Sequence, residues 1–126
     1  MRDFRTLKVW ERSHQLALAV YGATKAFPPD ERYGLTQQIR RSCASIPANI
    51  AEGCGRSSLP EMTHFFQIAM GSASELEYHL LLARDLGLLE GSHHDRLASL
   101  TTEVKRMLAT LINRLKARRS ALKTDN

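Results

Sequence analysis

The residues best suited to chemistry form a polar row within residues 41–56. They follow one another at helical intervals, which places them on one flank of a helix: Arg41, Ser45, Asn49, Glu52 and Arg56. Two interpretations fit this row, a polar network that fixes helix packing and a binding site for a polar ligand. We favour the network, with Ser72, Glu75 or His79 of a neighbouring helix as candidate partners.

Residues for metal binding or covalent catalysis are few. Glu61 and His64 match the Glu-x-x-His pattern of di-iron bundles, but such sites need a second pair and two further glutamates. Cys43 lies on an apolar helix face, where burial raises the pKa of a thiol, and Cys54 has no histidine base assigned beside it. We therefore predict no enzyme activity, no catalytic residue, no metal site and no cofactor.

The composition is that of a small basic globular protein. The chain has 126 residues, of which 43% are hydrophobic and 25% are charged, and this suits one domain with one core. The formal net charge of +5 favours polyanionic partners such as nucleic acid. A basic surface that serves only solubility explains the charge equally well.

Several features favour a cytoplasmic protein without membrane contact. The longest apolar run, LALAVY at residues 16–21, is far too short for a membrane span, and we expect no export leader. Cys43 and Cys54 would lie about 16 Å apart on one helix, too far for a mutual disulfide. Unpaired cysteines are typical of a reducing compartment.

Turn signals divide the chain into four helical segments. These cover approximately residues 7–27, 30–55, 59–88 and 94–119 of a single domain, residues 1–126. Pro28 ends the first segment, Ser58 and Glu61 form a capping box before the third, and Gly87 ends the third. Short connections favour antiparallel neighbours, so the predicted fold class is all-α, an antiparallel up-down four-helix bundle.

Pro47 lies inside the second predicted helix. Apolar residues keep helical phase on both sides of it: Leu35, Ile39, Cys43, Ile46 and Ile50. We predict that the helix continues through Pro47 with a bend, because proline removes one helical donor. A complete break at Ile46 is the alternative, since the residue before a proline avoids helical angles.

The first predicted helix has an apolar arc wider than one intramolecular seam requires. One side carries Val9, Leu16, Val20, Ala23 and Phe27, and the other carries Leu7, Trp10, His14, Ala17, Leu18 and Tyr21. We interpret part of this arc as a contact with another subunit. In the third helix, Gly71 weakens the helix, and we expect it to allow close approach of another backbone.

Basic residues of the last helix suit phosphate binding. The candidates for nucleic-acid contact are Lys105, Lys116, Arg118, Arg119 and Lys123. Most of them share one side of the helix, although Ile112 interrupts that side. A solvated helix end that complements the helix dipole is the alternative for Arg118 and Arg119. The aromatic residues lie mostly on apolar faces, so we predict no platform for base stacking. We therefore expect binding driven by phosphate contacts, with little preference for base sequence.

Three stretches carry a family resemblance, and SIPANIAEG followed by GR is their most specific motif. They are FRTLKVWERSHQLALAVY, FPPDERYGLTQQIRRSCASIPANIAEGCGRSS and FFQIAMGSASELEYHLLLARDLGLL. The chain resembles the 23S ribosomal RNA intervening-sequence proteins from Phe4 to about Leu89. This resemblance implies a four-helix bundle that assembles into a homo-oligomer, most often a pentameric ring. A relative in this family, the accessory variability determinant, binds nucleic acid and partners a reverse transcriptase.

Two functional hypotheses follow. In the first, the protein is a non-enzymatic homo-oligomer that binds RNA or DNA through basic surfaces, with a nucleic-acid enzyme as a further partner. A pentamer would carry a formal charge of about +25, five times +5, so that weak phosphate contacts add as avidity. In the second, a ring-shaped scaffold binds a protein partner and its basic charge is incidental.

Overall fold

The computed structural model describes residues 2–124, which form a bundle of four α-helices. They are α1 (Lys8–Thr24), α2 (Leu35–Cys54), α3 (Leu59–Asp85) and α4 (Gly91–Thr124). Short 3-10 helices lie at Phe4–Thr6 and Pro29–Glu31. Helices α1 and α3 each pack against both α2 and α4, so every helix has two neighbours around one core. The predicted four-helix bundle is confirmed.

Contacts between α1 and α2 show the antiparallel arrangement. The backbone N–H of Arg2 donates to the carbonyl of Cys54 at 3.3 Å, beside the start of α1 and the end of α2. At the other end, Arg40 Nε donates to Thr24 Oγ1 at 2.9 Å. None of the described helices combines the length and apolar character that a membrane span requires.

One side of the apolar arc of α1 is buried in the core. The buried residues of this side are Val9, Leu16, Val20 and Phe27, joined by Ala17 of the other side. They pack with the seams of the other helices, including Ile39, Ile46 and Ile50 of α2, Phe66, Leu76 and Leu80 of α3, and Val104 and Leu108 of α4. By contrast, Leu18 is 61% exposed and Tyr21 is 40% exposed. On the second side of the arc, His14, Leu18 and Tyr21 are therefore surface residues, whereas Leu7 and Trp10 pack against the core.

Helix α2 is continuous through Pro47, which is buried. The alternative of a complete break at Ile46 is therefore wrong. Because proline has no N–H, the carbonyl of Cys43 lacks its usual helical donor, which is the physical basis of the bend predicted there. Apolar contacts on both sides of the proline hold the two halves in one helix, since Ile46 and Ile50 are fully buried.

The predicted boundaries of α2 and α4 need the largest corrections, while α1 and α3 each end three residues before the predicted positions 27 and 88. Helix α2 begins at Leu35, not near residue 30, because Gly34 is non-helical (φ −114°, ψ −113°) and the Glu31 carboxylate accepts a hydrogen bond from Leu35 N–H at 3.2 Å. Helix α4 begins at Gly91 and continues to Thr124, beyond the predicted range 94–119. Alanine, lysine and arginine dominate its last turns, and all three are strong helix formers.

Glycine permits a close helix approach at Gly53. A Cβ atom there would lie 2.8 Å from Phe66 Cε1 and 3.2 Å from the Met62 carbonyl oxygen, so α3 lies directly against the α2 backbone. At Gly71, a Cβ atom would meet no atom within 4 Å. Within one protomer, the close approach that we expected at Gly71 therefore occurs at Gly53.

Candidate nucleic-acid interface and polar network

The basic end of α4 extends beyond the core. Leu115 is the last buried residue of α4, and every side chain from Lys116 to Lys123 is exposed. Four of the five predicted nucleic-acid contacts lie here: Lys116, Arg118, Arg119 and Lys123. Within residues 2–124, none of the four has a carboxylate partner. We call these four side chains the α4 basic end.

Ile112 interrupts the basic side of α4 for a structural reason. Ile112 is only 7% exposed, so this side of the helix faces the core there. Leu7 and Leu59, at the starts of α1 and α3, line a cavity together with Leu115 of α4. Beyond this level the side of α4 that is buried at Ile112 is exposed, because α1 and α3 begin here and run in the opposite direction.

Lys105 lies apart from the α4 basic end. Its Nζ is 3.2 Å from the Glu77 carboxylate of α3, and its side chain is 28% exposed. Lys116 is eleven positions further along the chain, about 16 Å along the helix axis. The structure therefore does not bring Lys105 together with the other four candidates, and an ion pair already engages its charge.

Part of the polar row joins α2 to α3. Ser45 Oγ lies 2.8 Å from Ser72 Oγ, and Asn49 Nδ2 donates to both the carbonyl oxygen and Oγ of Ser45 at 2.9 Å. All three residues are half-buried. Of the other candidate partners, Glu75 Oε1 and His79 Nδ1 lie 4.0 Å from each other. The geometry of Ser45, Asn49 and Ser72 supports the structural interpretation of this part of the row.

Glu52 and Arg56 belong to a separate group at the start of α3. Arg56 donates to the Glu52 carboxylate at 3.1 Å and lies 3.9 Å from that of Glu61. Its guanidinium also lies 4.7 Å from the centre of the Phe65 ring. Ser58 Oγ accepts from the Glu61 N–H, as the predicted capping box requires, and the Glu61 carboxylate accepts from the Ser58 hydroxyl in place of the Ser58 backbone N–H. The ion pairs of this group link the end of α2 to the start of α3.

Arg41 is not part of either group. It is exposed, and among the described residues no hydrogen bond joins it to Ser45 or Asn49. It lines a groove between α1 and α2 instead, together with Arg32, Tyr33 and other residues. The groove was not predicted from the sequence, although the arginines and the tyrosine of ERYGLTQQIRR are a visible signal.

Replacing Asn49 by alanine should destabilise the protein by about 1 kcal/mol. The change removes two hydrogen bonds and leaves the half-buried Ser45 hydroxyl with one partner fewer. The matched control is Glu52→Ala, which should cost less than about 0.5 kcal/mol, because it removes an exposed ion pair between residues four apart. Urea unfolding at one protein concentration measures both. Equal losses would contradict the structural difference between the two groups.

The cysteines are placed unfavourably for nucleophilic chemistry. Burial raises the pKa of the Cys43 thiol to about 12 and also raises the pKa of Cys54. Both therefore stay protonated near neutral pH, where a thiol is a poor nucleophile. Across residues 2–124, no group of three or more histidine, cysteine, aspartate or glutamate side chains lies close enough to hold a metal ion.

Comparison with known proteins gives two similarities. A family model described as 23S rRNA-intervening sequence protein matches residues 5–110. The chain is also 26% identical to a solved structure of a protein with unknown function from the S23 ribosomal protein family of Bacteroides thetaiotaomicron. The two structures have a TM-score of 0.78, and the alignment covers 82% of this chain and 97% of the other. No curated protein matches the chain. The α4 basic end lies outside residues 5–110.

Proposed function

The chain belongs to the 23S rRNA-intervening sequence protein family, and from this membership we propose that it is a non-enzymatic accessory protein that binds RNA or DNA in the cytoplasm. The observation that carries the proposal is the α4 basic end, four exposed cations beyond the last buried residue. Their side chains are not engaged by carboxylates of residues 2–124, so phosphate groups are suitable counter-charges. Contacts of this kind carry no base information.

The proposed assembly is a homo-oligomer, with the pentamer taken from the family resemblance. The supporting surface is the second side of the α1 arc, where His14 and Leu18 are exposed. Trp10 lies nearby on the same helix and stacks on His14 with ring centres 5.0 Å apart. Burial of this apolar surface between subunits would be favourable at about 25 cal/mol per Å². Assembly would also multiply weak phosphate contacts.

A nucleic-acid enzyme is the further partner that we propose, by analogy with the accessory variability determinant. The second candidate function is a scaffold for a protein partner. The outer face of α3 favours it, because Ile68, Tyr78 and Leu81 are 38%, 58% and 37% exposed. Apolar and aromatic side chains of this kind are typical of protein interfaces.

The purified full chain should bind fluorescent RNA and DNA oligonucleotides with an affinity that falls steeply as salt rises. Counter-ion release from phosphate causes this dependence, and base sequence should have little influence. Fluorescence anisotropy over a salt series measures it, and light scattering on the same sample gives the oligomeric state. Binding weaker than about 10⁻⁴ M at physiological salt would favour the scaffold function. A 14.2 kDa particle at micromolar concentration would contradict the homo-oligomer.

A further inference from the structure

A concave surface between the end of α1 and the start of α2 has the features of a ligand site. Six of the residues that line it are Tyr21, Arg32, Tyr33, Thr36, Arg40 and Arg41. We call it the α1–α2 groove. Its volume of about 400 Å³ is within the range of small-molecule sites, roughly 300–1,000 Å³. Because α1 and α4 are antiparallel, the groove lies at the opposite end of the bundle from the α4 basic end.

Three arginines line the α1–α2 groove without compensating acids. Within residues 2–124, neither Arg32, Arg40 nor Arg41 has a carboxylate within ion-pair distance. Arg40 is held in place, since Nε donates to Thr24 Oγ1 at 2.9 Å and its guanidinium lies 4.8 Å from the centre of the Tyr21 ring. Guanidinium groups that are fixed and lack an acid partner are suited to bind an anion, and phosphate matches their geometry.

The first turn of α2 places unpaired backbone donors beside the groove. Thr36 is 9% exposed and lines the groove, and its buried Oγ1 has no hydrogen-bond partner among residues 2–124. Such a group is costly when it is left unpaired. Thr36 lies in the first turn of α2, where backbone N–H groups have no helical acceptor. The Leu35 N–H is already satisfied by Glu31, whereas the N–H groups of Thr36 and Gln37 have no acceptor among the described residues.

The exposed ring of Tyr33 distinguishes between classes of anion. Tyr33 is 84% exposed beside the three arginines, the largest exposure among the large hydrophobic side chains of the described chain. An acidic peptide would satisfy the arginines but has no need of a free aromatic face. An unpaired base stacks on such a face, whatever its identity. The combination of arginines, a helix N-terminus and an open ring therefore favours a nucleotide over a carboxylate.

We propose that the α1–α2 groove binds one nucleotide of single-stranded nucleic acid. The phosphate lies between the arginines and the N-terminus of α2, and the base stacks on Tyr33. This inference rests on the proposed nucleic-acid function and adds a preference for single strands, because duplex bases are already stacked on each other. RNA and DNA share the phosphate and base that the groove recognises.

The test uses the full chain and matched single-stranded and duplex oligonucleotides, of RNA and of DNA, that contain the fluorescent base 2-aminopurine. Tyr33→Leu should weaken single-strand binding roughly tenfold or more and leave duplex binding unchanged. The parent should quench 2-aminopurine in the single strand through stacking, and the variant should not. Arg41→Gln should lower the salt slope for single strands by about 0.7. Both positions are exposed, so the fold should survive.

The matched control is Tyr78→Leu, which removes a 58% exposed tyrosine from α3, outside the groove. It should bind and quench like the parent. Equal binding by Tyr33→Leu and the parent would overturn the groove site, and the proposed nucleic-acid function would survive if the α4 basic end still contributed. Displacement of the oligonucleotide by polyglutamate as effectively as by an unlabelled single strand would also overturn it. A parent that binds no nucleic acid would end both proposals.

Discussion

Replacing Gly53 by valine should destabilise the protein by about 3 kcal/mol, and replacing it by alanine should cost about 1–2 kcal/mol. A Cβ atom at Gly53 would lie 2.8 Å from the Phe66 ring, and Phe66 is only 1% exposed, so the ring has little room to move. The Met62 carbonyl, at 3.2 Å, belongs to the α3 backbone. Overpacking of this kind costs about 1–3 kcal/mol, and alanine recovers about 1 kcal/mol of helix propensity.

Gly71→Ala is the matched control for Gly53. Gly71 also lies inside a helix, but a Cβ atom there meets nothing within 4 Å, so alanine should stabilise the protein by about 0.5–1 kcal/mol. Urea unfolding at fixed protein concentration measures both variants, because the stability of an oligomer depends on concentration. A Gly53→Ala protein as stable as the parent would contradict the close α2–α3 approach. A loss of assembly in Gly71→Ala would instead place Gly71 in a subunit contact.

Replacing all four residues of the α4 basic end by glutamine should weaken nucleic-acid binding by up to about a thousandfold at 0.1 M salt. Each phosphate contact contributes roughly 0.7 to the slope of log affinity against log salt for single strands and 0.9 for duplexes. Loss of four contacts should therefore lower the slope by about 3. Anisotropy titrations of parent and variant over a salt series measure both quantities.

The four-site glutamine variant should remain folded and keep the oligomeric state of the parent. All four side chains are exposed and lie beyond Leu115, the last buried residue of α4, so the core does not depend on them. Circular dichroism and light scattering check this. Arg106→Gln is a control for an exposed charge elsewhere on α4 and should change binding little. A folded variant that binds as tightly as the parent would place the phosphate contacts on another surface.

Local sequence signals predicted most of the fold. The capping box at Ser58 and Glu61, the end of α3 at Gly87 (φ 77°) and the apolar phase across Pro47 all have the consequences expected of them. These signals act within one or two helical turns, where hydrogen bonds and side-chain spacing depend on neighbours in sequence. The start of α2 was misplaced because a side chain four residues away, Glu31, caps Leu35 after a 3-10 turn.

The sequence predicted much less of the candidate site than of the fold, because the geometry of the site depends on tertiary structure. From the sequence, the five residues of the polar row looked like one unit, because helical spacing places them on one flank. In the folded protein, Ser45 and Asn49 join Ser72, Arg56 joins Glu61, and Arg41 lines the α1–α2 groove. Helical spacing predicts which side chains share a face, but the partners on the facing helix follow from how distant segments pack.

The sequence by itself determined that this protein is a basic, all-helical bundle with one cluster of cations near a chain end, since both properties follow from local pattern and composition. Tertiary structure alone decided which cations of the chain have a carboxylate partner. It pairs Lys105 with Glu77, leaves Lys116 beyond the core, and gathers Arg32 and Arg40 beside the unpaired Thr36 hydroxyl. The physical reason is that charge pairing and burial depend on distances between helices, and those distances are set by packing of the whole core.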